Sequence, residues 1–513
     1  MTVEHAIRHE TERMKTLARD LAHSTTRIAA DAYDAAHDHR RIAGRVRRVR
    51  AGLGLAGVAT RNSVLPFLRG RLQDWQGEYA YTLAVQGFVY GFPYLYNAKL
   101  RHDWVTRPRD PAHVPYAAVN QFWHAGSLMD ATYRQGGSPN NDTLYSIAWV
   151  DLSDGPVILS HPEMGERYFT FQLAAVTSDN FDYVGARTTG SAAGDFALVG
   201  PDWSGRLPSG VRPVSPAPTP WIIVLGRTLV DGPDDLPAVH RLQEQYRLTP
   251  LGRWGHPEAS VPERRDVLEP VDASDNPLGP WITLNAMLAE NPPPEHHRIL
   301  LRQFADIGIG PGLDVEAQPQ QVKHSLVRAA ALGKQLLTQQ FLSGDWATDV
   351  EGWHYPPQSI GRFGDDFLSR AADQSLAGIV ANDPAEAVYL VNFHDTAGNP
   401  LAPDGRYELH FPPDRLPPVD AFWSMTAYTA SDRNLIPNPA DRYSVGDRTP
   451  RLTTAPDGSL TIRLQADPPP PGDDANWLPC AAHEDWFLIL RLYRPHPEVL
   501  SGSWRCPGIR RTG

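Results

Sequence analysis

The sequence predicts an α+β fold, rich in β-structure. Three observations predict it. The chain has 513 residues, enough for more than one sizeable core. Its 48 prolines and 41 glycines are spread along the chain and read as turn punctuation between many short segments. The hydrophobic period is helical at the start, becomes two, returns to helical, and ends mostly at two. These changes divide the chain into a helical N-terminal extension over 1–75, a β module over 76–235, a helical connector over 236–350 and a second β module over 351–513.

Residues 1–75 are rich in Ala, Arg, Leu and His and nearly free of Pro. Tyr79–Tyr90 reads as a further apolar helix, expected to stop at Gly91-Phe92-Pro93. In the first β module, Leu144–Leu152, Tyr168–Leu173, Asp182–Arg187, Phe196–Val199 and Trp221–Leu225 are expected strands. Their short spacing is that of an antiparallel sandwich or barrel. Helical spacing returns at Leu236–Leu248, with Asp235 as the expected N-cap, at His297–Ile307 and at Val315–Phe341. The second module opens with an expected helix over Phe363–Ala381. Strands follow at Ala387–His394, Tyr407–Phe411, Ala421–Tyr428, Ser459–Gln465 and Trp486–Tyr493. Asp457-Gly458 is expected to turn a hairpin.

Charge and composition bound the function. A net charge of −11 argues against nucleic acid as a partner, because phosphate binding requires a basic surface. Two cysteines, Cys480 and Cys506, make no disulfide framework. The N-terminus carries no apolar signal region, and no run of 18 apolar residues occurs, so a cytoplasmic location is expected. Residues 40–72 hold nine arginines and no acid, interleaved with apolar segments. That pattern suits peripheral contact with an anionic membrane. It suits equally a solvated helix pair packed on the body.

Two polar-aromatic strings carry the candidate chemistry. The first is Pro139-Asn140-Asn141-Asp142-Thr143-Leu144-Tyr145-Ser146, a turn that runs into a strand. Asp142 with Tyr145 can supply acid-base chemistry if the carboxylate is desolvated. The same residues can also simply fix a turn. The second is Ala421–Tyr428. Strand alternation assigns Ala421, Trp423, Met425 and Ala427 to a core, and leaves Phe422, Ser424, Thr426 and Tyr428 to line a pocket. Asp179, Arg187 and Arg442 are candidates for holding a polar or anionic part of a ligand. Trp123, Trp149, Trp423 and Trp477 are candidate walls. The two strings are expected to meet in one cleft between the modules.

Other chemistries find little support. HExxH, CxxC and G-x-S-x-G are absent, so neither a metal nor a serine nucleophile is expected. His37-Asp38-His39 puts its rings on different helix faces. Gly52–Gly57 matches G-x-G-x-x-G but follows no strand, so no nucleotide cofactor is expected.

Longer strings carry a family resemblance. VYGFPYLYN, PNNDTLYSIAWVDL, SDNFDYVGARTTG, GPDW and LGRTLVDGPDDL resemble the DUF1254 domain. YELHFPPDRLPPVDAFWSMTAYTASDRNLIPNPADRYSVGD, DGSLTIRLQ, ANWLP and LRLYRPHPEVLSGSWRCPGIRR resemble the DUF1214 domain. The resemblance implies two β-sandwich or jelly-roll-like modules, joined and covered by helices and often self-associating, and hence a homo-oligomer. It implies no catalytic residue. The expected function is binding of a small, largely apolar organic molecule and its transformation by cofactor-free acid-base chemistry: hydrolysis, hydration, isomerisation or elimination. The rivals are a non-catalytic ligand-binding or assembly protein, and a protein tethered to membranes through residues 40–72.

Overall fold

The computed structural model describes residues 75–110, 113–134, 137–256, 263–470 and 474–513. The expected helical extension, the basic 40–72 segment and the histidine pair at 37–39 lie outside the described residues, apart from Trp75.

The first described element is α1 (Trp75–Thr106). The first β module follows with β1 (Trp123–His124), β2 (Thr143–Asp151), β3 (Val157–His161), β4 (Phe169–Ala175), β5 (Asn180–Gly185), β6 (Gly194–Leu198), β7 (Val211–Pro213), β8 (Trp221–Leu229) and β9 (Arg247–Pro250). One sheet has the order β1-β2-β8-β4-β5 and the other β7-β6-β3-β9. Alternation directs Val150, Phe169, Phe171 and Val224 from the first sheet onto Leu159, Phe196 and Leu198 from the second, forming one core.

The helical part holds α2 (Leu236–Gln243), α3 (Gly279–Glu290), α4 (Arg298–Ala305), α5 (Gln320–Leu342) and α6 (Phe367–Leu376). All but α2 contribute, with α1, to a helical core that includes Phe88, Tyr94, Trp281, Leu284, Phe304, Leu326 and Ala371.

The second module contains β10 (Thr348–Val350), β11 (Trp353–Tyr355), β12 (Ala387–Asn392), β13 (Tyr407–Phe411), β14 (Val419–Thr429), β15 (Ser444–Gly446), β16 (Leu460–Gln465), β17 (Trp477–Pro479), β18 (Trp486–Pro495) and β19 (Arg510–Arg511). Its sheets have the orders β10-β11-β12-β18-β14-β15 and β17-β16-β13-β19. Between them lie Leu390, Leu409, Phe411, Trp423, Met425, Ile462 and Leu490. The fold is therefore α+β, with two sandwich modules joined and covered by helices. Most pairings are antiparallel; β6–β7 and β16–β17 are parallel edge pairs. Both cysteines are buried free thiols.

Several local expectations are corrected. The helix expected to stop at Gly91-Phe92-Pro93 runs on to Thr106 with Pro93 inside it. Gly91 serves packing instead of termination: a Cβ there would stand 2.5 Å from Leu284 Cδ2 on α3. The helix expected over Leu236–Leu248 ends at Gln243, and Arg247–Pro250 pairs with β3 as a strand. Asp235 is the residue before α2, but its carboxylate binds Arg167 and the Asp231 amide instead of capping the helix. Asp457-Gly458 makes a tight turn with Gly458 at φ +87°, yet β16 pairs with β13 and β17 and no hairpin forms. Among the described residues no helix is long and apolar enough to cross a membrane.

Candidate functional site at the module seam

The six-stranded sheet of the second module has one face in its own core. The other face carries Phe422, Ser424, Thr426 and Tyr428 from β14, Arg491 and Tyr493 from β18, and Tyr389 from β12. Cross-strand register sets Arg491 between Ser424 and Tyr389. The five-stranded sheet of the first module presents Tyr145 opposite Arg227, with Thr170 on Arg227's other side. These two faces, with the turn at 138–142 and the loop at 381–386, form the seam between the modules.

The turn is held locally by Asn140, whose Oδ1 accepts from the amides of Asp142 (2.6 Å) and Thr143 (3.2 Å). Asp142's own carboxylate is therefore free to reach across. It is 2% exposed and accepts from Ser424 Oγ at 2.6 Å and from Arg448 Nη2 at 3.5 Å. Tyr428 OH donates to Pro139 O at 2.7 Å, and Asn140 Nδ2 donates to Tyr493 OH at 2.5 Å. The two strings singled out in the sequence thus meet directly.

Two guanidinium groups lie inside this seam. Arg227 is 5% exposed and donates to Gln172 Oε1 (2.7 Å) and Asn382 Oδ1 (3.3 Å), while its Nε has no partner among the described residues. Arg491 is 3% exposed and donates to Thr426 Oγ1 (3.2 Å), Ser138 O (3.1 Å) and Tyr428 OH (2.7 Å). All five acceptors are neutral. Arginine stays protonated at any working pH, so two cations are buried without a carboxylate hydrogen bond among the described residues. Asp142, whose charge acts on Arg491, is already bonded to Ser424 and Arg448.

Phenols surround the two cations. The Arg227 guanidinium sits 5.4 Å from the centre of the Tyr145 ring, and that of Arg491 sits 5.5 Å from Tyr389. Tyr389 OH accepts from Asn382 Nδ2 at 2.9 Å. Burial raises the Tyr389 phenol, and Arg227 opposes the rise. Burial also raises Tyr133, helped by neighbouring Tyr145 and Tyr96. Tyr96, Tyr133 and Tyr145 are each only partly buried. At another edge of the seam, Arg167, Tyr168, Leu229, Asp420 and Arg494 from both modules line a cleft of about 360 Å³. Its arginines are paired, Arg167 with Asp235 and Arg494 with Asp420.

The other residues singled out in the sequence are placed differently. Thr426 lies in the seam, where its Oγ1 accepts from Arg491. Arg187 lies at its rim, with Nε 2.6 Å from Glu386 Oε2, while Tyr168 OH donates to the other oxygen at 2.8 Å. Asp179 accepts from the Phe363 amide and from Arg370, both at 2.7 Å, tying the first module to the segment before α6. Trp123 and Trp149 pack in the apolar core under β2 and β8. Trp423 lies in the second module's core, because the odd positions of β14 face inward. Trp477 donates through Nε1 to Gln465 O at 2.9 Å, and Arg442 donates to Trp477 O at 3.0 Å, both within the second module. The sequence reading missed Arg227, Arg491, Tyr389 and Tyr493. Its available signal was a buried-pattern arginine within each of two largely apolar strands, WIIVLGRTL and WFLILRLYRP.

Residues 119–250 match the family described as "Protein of unknown function (DUF1254)", and residues 386–497 match "Protein of unknown function (DUF1214)". No curated protein matches the chain. Among solved structures, the VPA0106 protein from Vibrio parahaemolyticus is similar at 23% identity and a TM-score of 0.65, covering 85% of this chain and 100% of that one. At this identity the likeness concerns the fold alone. A putative uncharacterized protein from Burkholderia cenocepacia aligns at 14% identity and a TM-score of 0.38, over 85% of this chain and 94% of that one. The first β module thus carries the DUF1254 match and the second the DUF1214 match, and the two together support a two-domain family of unknown function.

Proposed function

We propose that this protein binds a small organic anion with a largely apolar or aromatic body in the seam between its two modules. The observation that carries the reading is the pair Arg227 and Arg491, each buried and, among the described residues, each bonded only to neutral acceptors. A buried cation whose hydrogen bonds go to neutral acceptors is expensive. A ligand carboxylate relieves that expense and offers a guanidinium the two-oxygen edge it binds best. Tyr145, Tyr389 and the neighbouring phenols supply flat walls and hydroxyls for the rest of the ligand.

Binding is favoured over acid-base transformation. A carboxylate serving as a general base must be free to take a proton. Asp142 is engaged by Ser424 and Arg448, and Asp179 by Arg370 and the Phe363 amide. A cytoplasmic location and self-association belong to the same proposal; cell fractionation and light scattering of the purified chain test them.

The test of binding is a thermal-shift screen of small aliphatic and aromatic carboxylates, each against its neutral amide analogue. Acids that raise the melting temperature where their amides do not support the reading. If no acid in the panel outperforms its amide, the anion reading falls.

A further inference from the structure

A second cluster lies in the helical part, outside both matched stretches. His296 and His297 belong to the single turn Glu295–His297 that leads into α4. Asp365 lies just before α6. The Nε2 atoms of both histidines face one oxygen of Asp365, at 3.2 Å from His296 and 2.9 Å from His297. The three donor atoms lie within 4.8 Å of one another. An ion held at about 2.1 Å from each donor sets neighbouring donors roughly 3.0–3.4 Å apart, from tetrahedral or octahedral geometry.

The far side of His297 is built as a ligand histidine requires. Its Nδ1 is 3.1 Å from Tyr90 OH, and Tyr90 is 2% exposed on α1. The His297 ring meets Tyr90 and Phe367 edge-on, at centroid distances of 5.5 and 5.2 Å. These contacts fix the ring's orientation. With a proton on Nδ1 donated to the Tyr90 oxygen, the Nε2 lone pair points at Asp365. A hydrogen bond to the non-ligating nitrogen is the usual companion of a metal-bound histidine. His296 and Asp365 are exposed over 63% and 64% of their side chains, so water reaches the open side.

We propose that His296, His297 and Asp365 form a binding site for one divalent first-row transition ion, completed by water. Two imidazoles and one carboxylate favour zinc and its neighbours over magnesium or calcium. Local spacing carried no cue to this cluster, since Asp365 lies 68 positions beyond His297.

The experiment uses the full chain, stripped with a chelator and titrated with Zn²⁺ by competition calorimetry, with Co²⁺ absorption as a second readout. The expected result is one ion per chain, a melting temperature raised by zinc, and at least tenfold weaker binding in His296→Gln and in Asp365→Asn. Both substituted side chains are largely exposed, so these variants keep their fold. His37→Gln with His39→Gln controls for the N-terminal histidines and is expected to bind zinc as the parent does. Absence of zinc binding, or parental affinity in both His296→Gln and Asp365→Asn, overturns the proposal and leaves a surface His–Asp ion pair.

Discussion

Arg227 and Arg491 sit at strand positions where a buried aliphatic residue would be ordinary, and this is the chief anomaly at the residue scale. Asp142 is the opposite case, a buried charge whose partners are present. Its carboxylate holds Ser424 and Arg448 across the seam. Asn at this position keeps one acceptor but loses the charge opposite Arg448. Asp142→Asn is therefore expected to lower unfolding stability by about 1–3 kcal/mol, measured by urea denaturation. A double-mutant cycle with Ser424→Ala is expected to show coupling of about 1 kcal/mol. Additive losses would mean that the Ser424–Asp142 bond does not hold the seam. The sequence made Asp142 conspicuous through its turn and its strand, and alternation put Ser424, Thr426 and Tyr428 on the correct face. It hid Arg227 and Arg491 because each lies in an apolar run that reads as core, and partners from different segments are not encoded in local spacing.

Elements were legible where the hydrophobic period was clean. Tyr407–Phe411 alternates strictly and is a strand over that whole span. The five strands expected in the first module all occur, while β1, β3, β7 and β9 passed unnoticed. Local rules failed where tertiary contact decided. The Gly-Phe-Pro stop in α1 is overridden because Gly91 lets α3 approach. Gly91→Ala is accordingly expected to destabilise the protein by about 1–3 kcal/mol through overpacking against Leu284. A melting temperature equal to the parent's would show that Leu284 simply moves aside. On α6, burial raises the Asp373 carboxyl to about 7, beside Phe341, Trp346 and Ile360. An acid whose pKa is raised from 3.8 binds its proton more tightly when folded, so its contribution to stability is lost as pH climbs from about 4 to about 7. Asp373→Asn is expected to match the parent near pH 4 and to exceed it at pH 8, by on the order of 1 kcal/mol or more. Denaturation midpoints at the two pH values decide it; an equal difference at both would mean that folding leaves the Asp373 carboxyl unshifted.

For the molecule as a whole, the consequence of the seam is that neither module satisfies its polar groups alone. Pro139 and Asn140 bond Tyr428 and Tyr493, Gln172 and Asn180 bond Ala381 and Asp383, and Tyr168 and Arg187 bond Glu386. Calorimetric unfolding is therefore expected to show both modules melting in one transition; two resolved transitions would mean that they are energetically separate. The central claim is that the seam takes an organic anion because it buries guanidinium charge that the protein itself leaves without carboxylate partners. The most direct measurement is a calorimetric titration of one carboxylate identified by thermal shift into the parent chain, Arg227→Gln and Arg491→Gln. The account predicts saturable binding to the parent and at least tenfold weaker binding to each variant, with both variants still folded. Parental affinity in both folded variants would contradict it.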